Sequence, residues 1–386
     1  MHDTPQALPQ GFLASGMAAG LKPSGRPDLG LLRCPGGGPW GLATTRNQAA
    51  AACVLRARAL YQQGPLLQAV AVNSGQANAA TGSAGRADDQ RWAEALSNFL
   101  GIPSEALLTV STGVIGVRLP LDRLLAARPA LAAGLSESPA AFASAILTTD
   151  TRPKLARAEL PGGGSVLGIA KGSGMIHPDL GTLLAFVLTD LELPSAWIRT
   201  QWQELIDGSL NCVSVDGDTS TNDLALLWSS GQRSCSLGQA ELALREVLRN
   251  LARQVAADGE GASKLLTVRI TGAPDLAGAR RAARTVASSL LWKSAVHGND
   301  PNWGRVLAAL GRSGTPIDSE RLSIALQGVT LYQDGPRPTD LAALSRAMDA
   351  PEVILEVDLA GGAASAEAWG CDLSEEYVQI NADYTT

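Results

Sequence analysis

The stretch GIAKGSGMIHPDLGTLLAFVLTD, residues 168–190, runs from a glycine-rich loop into an unbroken apolar segment, with Thr182 at the junction. Six consecutive apolar residues at 183–188 read as a strand buried on both faces. The loop before them delivers a hydroxyl to the start of that strand. A threonine inside a chain is a poor nucleophile, because its hydroxyl keeps its proton at neutral pH. Scission of the Gly181–Thr182 bond would change this. Thr182 would then carry an α-amine with a pKa of about 7.7–8.0, leaving much of it unprotonated near neutrality. One residue would supply both nucleophile and base.

Working outward, residues 67–73 (LQAVAVN) read as a buried strand. Trp92, Leu96, Phe99 and Leu100 recur at helical spacing, placing an apolar stripe on a helix over 88–100 that Gly101 and Pro103 end. Leu244, Val247, Leu248, Leu251 and Val255 form the inner face of a second helix before Asp258 and Gly259. A strand at 265–271, an alanine-rich helix near 276–290 and strands near 353–359 and 376–380 follow. This mixed order predicts an α/β or α+β class.

The chain has 386 residues, 45% hydrophobic and 18% charged, which suits a large core or two subdomains and excludes disorder. A net charge of −6 argues against a nucleic-acid surface and for a small-molecule partner. The start, MHDTP, shows no secretory signal, and no segment reaches the ~20 apolar residues that span a bilayer, so a cytosolic location is expected. Five scattered cysteines, without CxxC spacing, predict buried thiols rather than disulfides or a zinc site. Only His2, His177 and His297 are available, which favours chemistry whose base is a backbone amine.

Several segments together resemble the glutamate N-acetyltransferases of the ornithine acetyltransferase family. Lys171, Gly172, Gly174, Met175, Pro178, Thr182 and Leu184 fit that family's self-cleavage segment, with Gly181 in place of the commoner alanine and Leu183 in place of methionine. The likeness extends to STGVIG at 111–116, TTDT at 148–151, DGEGASK at 258–264, NSGQANAATG at 73–82, DGDTSTND at 216–223 and DPNWGR at 300–305, and so covers nearly the whole chain. It implies a layered helix–sheet–sheet–helix body, cut into an α chain, 1–181, and a β chain, 182–386, intertwined in one folded unit. It also implies transfer of acetyl from N-acetylornithine to glutamate in arginine biosynthesis, by two α and two β chains.

By the same resemblance Thr182 is the nucleophile, Thr112 and Gly113 form the oxyanion hole, and Thr148, Lys171, Glu260, Asn381 and Thr386 contact substrate, with Thr149 the alternative to Thr148. No cofactor or metal is implied, although acetyl-CoA is a potential second donor. Read without the resemblance, STGVIG is a glycine turn between a strand and a proline-capped helix, Lys171 a solvated loop lysine and Glu260 a surface carboxylate on a helix-ending turn. Thr148 and Thr149 would be a strand edge. The segment 377–386 reads as a docked end rather than a tail.

Other motifs fail. Gly172 and Gly174 start a dinucleotide loop whose third glycine is replaced by His177, and no phosphate-binding Gly-Lys-Ser/Thr occurs. The run 216–223 alternates Asp and Asn oxygens but lacks the closing glutamate of a calcium loop, so it reads as a polar turn and an architectural element. His177 is a candidate base for the cleavage step or an inert loop histidine. Two rival readings remain: a self-cut aminopeptidase or amidase, and a non-catalytic amino-acid-binding relative.

Overall fold

The computed structural model describes residues 7–64, 66–177 and 183–383. Three sheets organise them. The first has four strands in the order Leu13–Met17, Leu29–Gly38, Leu67–Gln76, Leu107–Val114. The second has five, ordered Trp40–Thr44, Leu224–Arg233, Leu184–Leu191, Ser165–Lys171, Lys154–Glu159. The third has six, ordered Val329–Gln333, Ser323–Leu326, Glu352–Asp358, Leu265–Ala273, Ala364–Cys371, Val213–Ser214.

The first two sheets lie face to face, and side-chain alternation shows it. Leu184, Phe186 and Leu188 of one strand share a core with Val70, Val72, Leu108 and Val110 of the first sheet. Their neighbours Ala185 and Val187 point the other way, into a core with Ile198, Trp202, Leu244, Val247 and Leu251 of the helices Ser195–Asp207 and Leu237–Ala257. Every residue of Leu184–Leu191 is therefore buried, the physical reason its first five residues, 184–188, are all apolar. On the far side of the first sheet, Leu29, Leu31, Ala69 and Ala71 pack with Trp92 and Leu96 of helix Gly82–Leu100 and Leu124 and Leu131 of helix Leu121–Ala133. The stack is helix, sheet, sheet, helix, an α/β body as expected, with the third sheet packed against the outer helix layer.

Local signals explain most boundaries. Gly101 at φ 66 ends the helix it was expected to end. Leu237–Ala257 starts where the Ser236 hydroxyl accepts the Gln239 N–H. Three expectations are corrected. The alanine-rich helix expected near 276–290 stops at Ala287, and a separate helix, Leu290–His297, follows. Phe99 leaves the stripe and is exposed beneath the Arg128 guanidinium. The segment 376–380 is not a strand but part of the helix Glu375–Asp383. Its start is set by Ser374, whose hydroxyl accepts the Tyr377 N–H, and by Glu375 and Glu376, whose charges suit a helix N-terminus. Apolar alternation over four residues did not outweigh those signals.

All five cysteines are free; four are buried and Cys235 is partly so. No helix among the described residues is long and apolar enough to cross a membrane.

Candidate active site

Segments far apart in the sequence meet at one hollow of about 220 Å³. Strand Leu107–Val114 brings Thr112 and Gly113. The loop after helix Ala140–Ala145 brings Thr148 and Thr149, strand Ser165–Lys171 ends on Lys171, the turn after helix Leu237–Ala257 brings Glu260, and helix Glu375–Asp383 brings Asn381. Gly181, Thr182 and Thr386, also singled out in the sequence, lie outside the described residues.

Thr112 is 3% exposed, and its hydroxyl makes no hydrogen bond with the described residues. It is an open donor on the wall of the hollow. Gly113 has φ +123, and a Cβ there would lie 2.4 Å from the Gly75 carbonyl carbon on the parallel neighbouring strand, so only glycine fits. Asn222 fixes this wall from behind. Its amide donates to the carbonyls of Ala77 (2.7 Å) and Ser111 (2.8 Å).

Lys171 is 1% exposed, not the solvated loop lysine its sequence context suggests, and its ammonium donates to the Thr148 hydroxyl at 2.9 Å. Burial pushes its pKa below the usual lysine range, opposed by Asp150. Beneath it sits an ion cluster that the sequence did not reveal. Lys154, wholly buried, donates to Asp150 and Asp258 at 2.5 Å each. Asp150 also accepts the N–H groups of Thr148 (3.0 Å) and Gly172 (2.6 Å), and Asp258 accepts from both the Thr151 backbone N–H and the Thr151 hydroxyl. Burial acts to raise the Asp150 pKa, but Lys154, Lys171 and these hydrogen bonds win and bring it down to about 2. The cluster thereby joins the loop holding Thr148, the turn after Lys171 and the turn before Glu260.

Lys22 steadies the Thr148 loop from outside, donating to the Leu147 carbonyl at 2.6 Å. Glu260 is held on the opposite side. Its N–H donates to the Ser173 carbonyl and its carboxylate accepts from the Asn381 amide at 2.9 Å, so the C-terminal helix is docked on the hollow. Gly174 permits this approach: a Cβ there would sit 2.2 Å from the Glu260 carboxylate. The cationic Lys171 and the acidic residues Glu260, Asp216 and Asp218 thus border a single small hollow, an arrangement suited to a compact ligand carrying both signs of charge.

Residues 13–386 match the model of the ArgJ family. The chain belongs to the ArgJ family. An arginine biosynthesis bifunctional protein ArgJ from Thermus thermophilus is 51% identical over 384 residues, covering 98% of this chain and 99% of that one. The protein of the same name from Deinococcus radiodurans is 50% identical, with 98% of each covered. Among solved structures, the crystal structure of arginine biosynthesis bifunctional protein argJ from Bacillus halodurans is similar with a TM-score of 0.51 and 34% identity, covering 52% of this chain and 99% of that chain.

In this ArgJ-family chain the run 216–223 is more than the polar turn it reads as. Asp216, Asp218, Ser220, Thr221 and Asn222 line the hollow, and Asp216 accepts the N–H groups of Met175 (2.5 Å) and Ile176 (2.9 Å). Among the described residues no group of acidic, His or Cys side chains could hold a metal ion. His177 does not line the hollow; its Nδ1 lies 3.1 Å from the Ser214 hydroxyl.

Asp223 accepts the N–H of Leu183 at 2.9 Å, pinning the chain where the described residues resume, while its second oxygen is buried without a partner among the described residues. Burial drives this carboxyl well above the ordinary carboxylate range, against the pull of the Leu183 N–H and the Lys171 charge. A raised folded pKa gives stability that is complete below the unfolded value, near 4, and is lost as the pH rises toward the folded one. Asp223→Asn removes that dependence. Thermal melts from pH 4 to 8 should therefore show the variant gaining on the wild type as pH rises, by at most about 1.4 kcal/mol per pH unit. A constant offset between the two curves would contradict a neutral Asp223.

Proposed function

We propose that this chain is a glutamate N-acetyltransferase of arginine biosynthesis, moving acetyl from N-acetylornithine to glutamate through an acetyl-Thr182 intermediate. The observation that carries the reading is the meeting of Thr112, Gly113, Thr148, Lys171, Glu260 and Asn381, drawn from across the chain, at one hollow. Membership of a family whose relatives are named for arginine biosynthesis supports it further.

The reaction begins with maturation. The Thr182 hydroxyl attacks the Gly181 carbonyl carbon, the C–N bond breaks, and water hydrolyses the resulting ester, leaving a Gly181 carboxylate and a Thr182 α-amine. Pairing within the second sheet supports a product that stays together. Strand Ser165–Lys171, before the cut, is antiparallel to Leu184–Leu191, after it, and Trp40–Thr44 pairs with Leu224–Arg233. The solved relative from Bacillus halodurans covers 52% of this chain with 99% of its own length, about the share of one of two nearly equal products.

In transfer, the Thr182 oxygen attacks the acetyl carbonyl while its own amine takes the hydroxyl proton. The developing oxyanion is stabilised by the Thr112 hydroxyl and the Gly113 N–H, in a site where donors are already oriented. Ornithine leaves with the proton. The glutamate amine then attacks the acetyl ester, and the steps reverse to free Thr182. Lys171 offers a cation to a substrate carboxylate, and Glu260 with Asn381 a partner for an ammonium; Thr148 orients between them and Thr386 closes the set. The cycle needs no cofactor, and acetyl-CoA is a second donor to test. The reading includes a cytosolic enzyme of two α and two β chains.

Incubation of the purified protein with N-acetylornithine should release ornithine at a rate that depends on glutamate, with N-acetylglutamate formed in equal amount. Acetate release that ignores glutamate would instead make the protein a self-cut amidase, and no turnover at all would make it a binding relative.

A further inference from the structure

A second hollow, of about 280 Å³, is used by none of the steps above. It is lined by Arg281, Arg284 and Arg312, by Thr285, Ser288 and Ser313, and by His177. No carboxylate lines it. In a protein of net charge −6 that is a local excess of positive charge. The neighbouring Arg280, on the same helix, is held by Glu204 at 2.6 Å, whereas Arg281, Arg284 and Arg312 form no ion pair among the described residues. Arg281, Arg284, Thr285 and Ser288 fall on one face of helix Leu276–Ala287 and its cap, and Arg312 leans onto that helix by donating to the Thr285 carbonyl.

We propose that this hollow binds the phosphate groups of an anionic ligand. The Thr285 and Ser288 hydroxyls donate to the Arg281 and Thr285 carbonyls, but the three planar guanidinium forks hold more N–H donors than the one bond from Arg312 to Thr285 uses, and a phosphate, with its double charge and several oxygens, can accept them. A carboxylate has too few oxygens to engage them. The two hollows share a stretch of chain: Gly174 and Met175 line the first and His177 the second, and two residues of chain separate Met175 from His177 by at most about 7 Å. A ligand with phosphates in the arginine hollow can therefore belong to the reaction, as the nucleotide portion of a carrier bearing an acyl thioester, or be a free phosphate compound. The first source rests on the acyl-transfer reading; the phosphate site itself does not.

Titration calorimetry on the full purified protein, with sodium pyrophosphate as the probe at constant ionic strength, tests the site without requiring turnover. The expected result is saturable binding at one site per chain, weakened about tenfold or more in Arg281→Gln/Arg284→Gln and about tenfold in Arg312→Gln. Arg312 is exposed at the end of its helix, so its variant carries the test if the double variant fails to fold. No saturable binding, or affinity unchanged in these variants, overturns the proposal and leaves the arginines to the solvent and the helix C-terminus. Acetyl-CoA distinguishes the sources. If it displaces pyrophosphate and loses affinity in the same variants, the ligand is an acyl carrier; if pyrophosphate and inorganic phosphate bind and acetyl-CoA does not compete, the site serves a free phosphate.

Discussion

Replacing Thr182 by alanine leaves one polypeptide of 39.9 kDa on a denaturing gel and lowers acetyl transfer by about 10⁴-fold or more. Both losses come from the same missing oxygen. In the proposed mechanism that oxygen attacks the Gly181 carbonyl in maturation and carries the acetyl group in transfer, and the α-amine proposed as base appears only once the first step has occurred. Removing a nucleophile that acts in concert with its base costs nearly as much as removing the pair. Thr182→Ser keeps the hydroxyl and should retain two fragments and measurable transfer. Intact mass measurement decides the matter, since the wild type should yield a fragment beginning at Thr182. An active, two-fragment Thr182→Ala protein, or wild-type activity from an uncut chain, would dispose of the mechanism.

Of the strands that build the two facing sheets, those at 67–73 and 183–188 were legible, because burial on both faces forces an apolar run such as 184–188, and helices were legible where the periodicity changes. What escaped were features set by contacts at long range. Residues 376–380 alternate like a strand, yet a serine cap with two glutamates at the start decided for a helix. Without the family resemblance Lys171 looks like a solvated loop residue, because nothing local indicates that Asp150 lies beneath it. Lys154 drew no notice at all: one of its partners, Asp258, is 104 residues away. The run 216–223 stood out in the sequence, but its role as a pocket wall depends on Met175, Ile176, Ala77 and Ser111, which it meets only in the folded chain. Sequence patterns of one or two turns report burial and capping; they do not report which distant carboxylate an ammonium will find.

That ammonium is the other place where a single substitution should have a large effect. Lys154→Met keeps the length and the apolar stem but removes the charge, leaving Asp150 and Asp258 buried and facing each other without their shared cation. Breaking a buried ion cluster from one side costs about 3–5 kcal/mol, because the remaining charges stay desolvated. The acid limb of stability changes as well. In the wild type Asp150 titrates at about 2, below its unfolded value, so its contribution is present above about pH 4 and is lost as the pH falls toward 2. Without Lys154 that contribution shrinks, and the wild type and variant should converge in acid. The triple variant Lys154→Met/Asp150→Asn/Asp258→Asn, which removes the stranded charges together, should regain a substantial part of the lost stability. Transfer should not return with it. Asp150 holds the N–H groups of Thr148 and Gly172 and, through them, the groups flanking Lys171, so the rebuilt protein folds with a misaligned substrate wall and shows a raised KM for both substrates more than a lowered kcat. Recovery of stability with wild-type KM would mean that the cluster holds the fold and has no part in positioning the site.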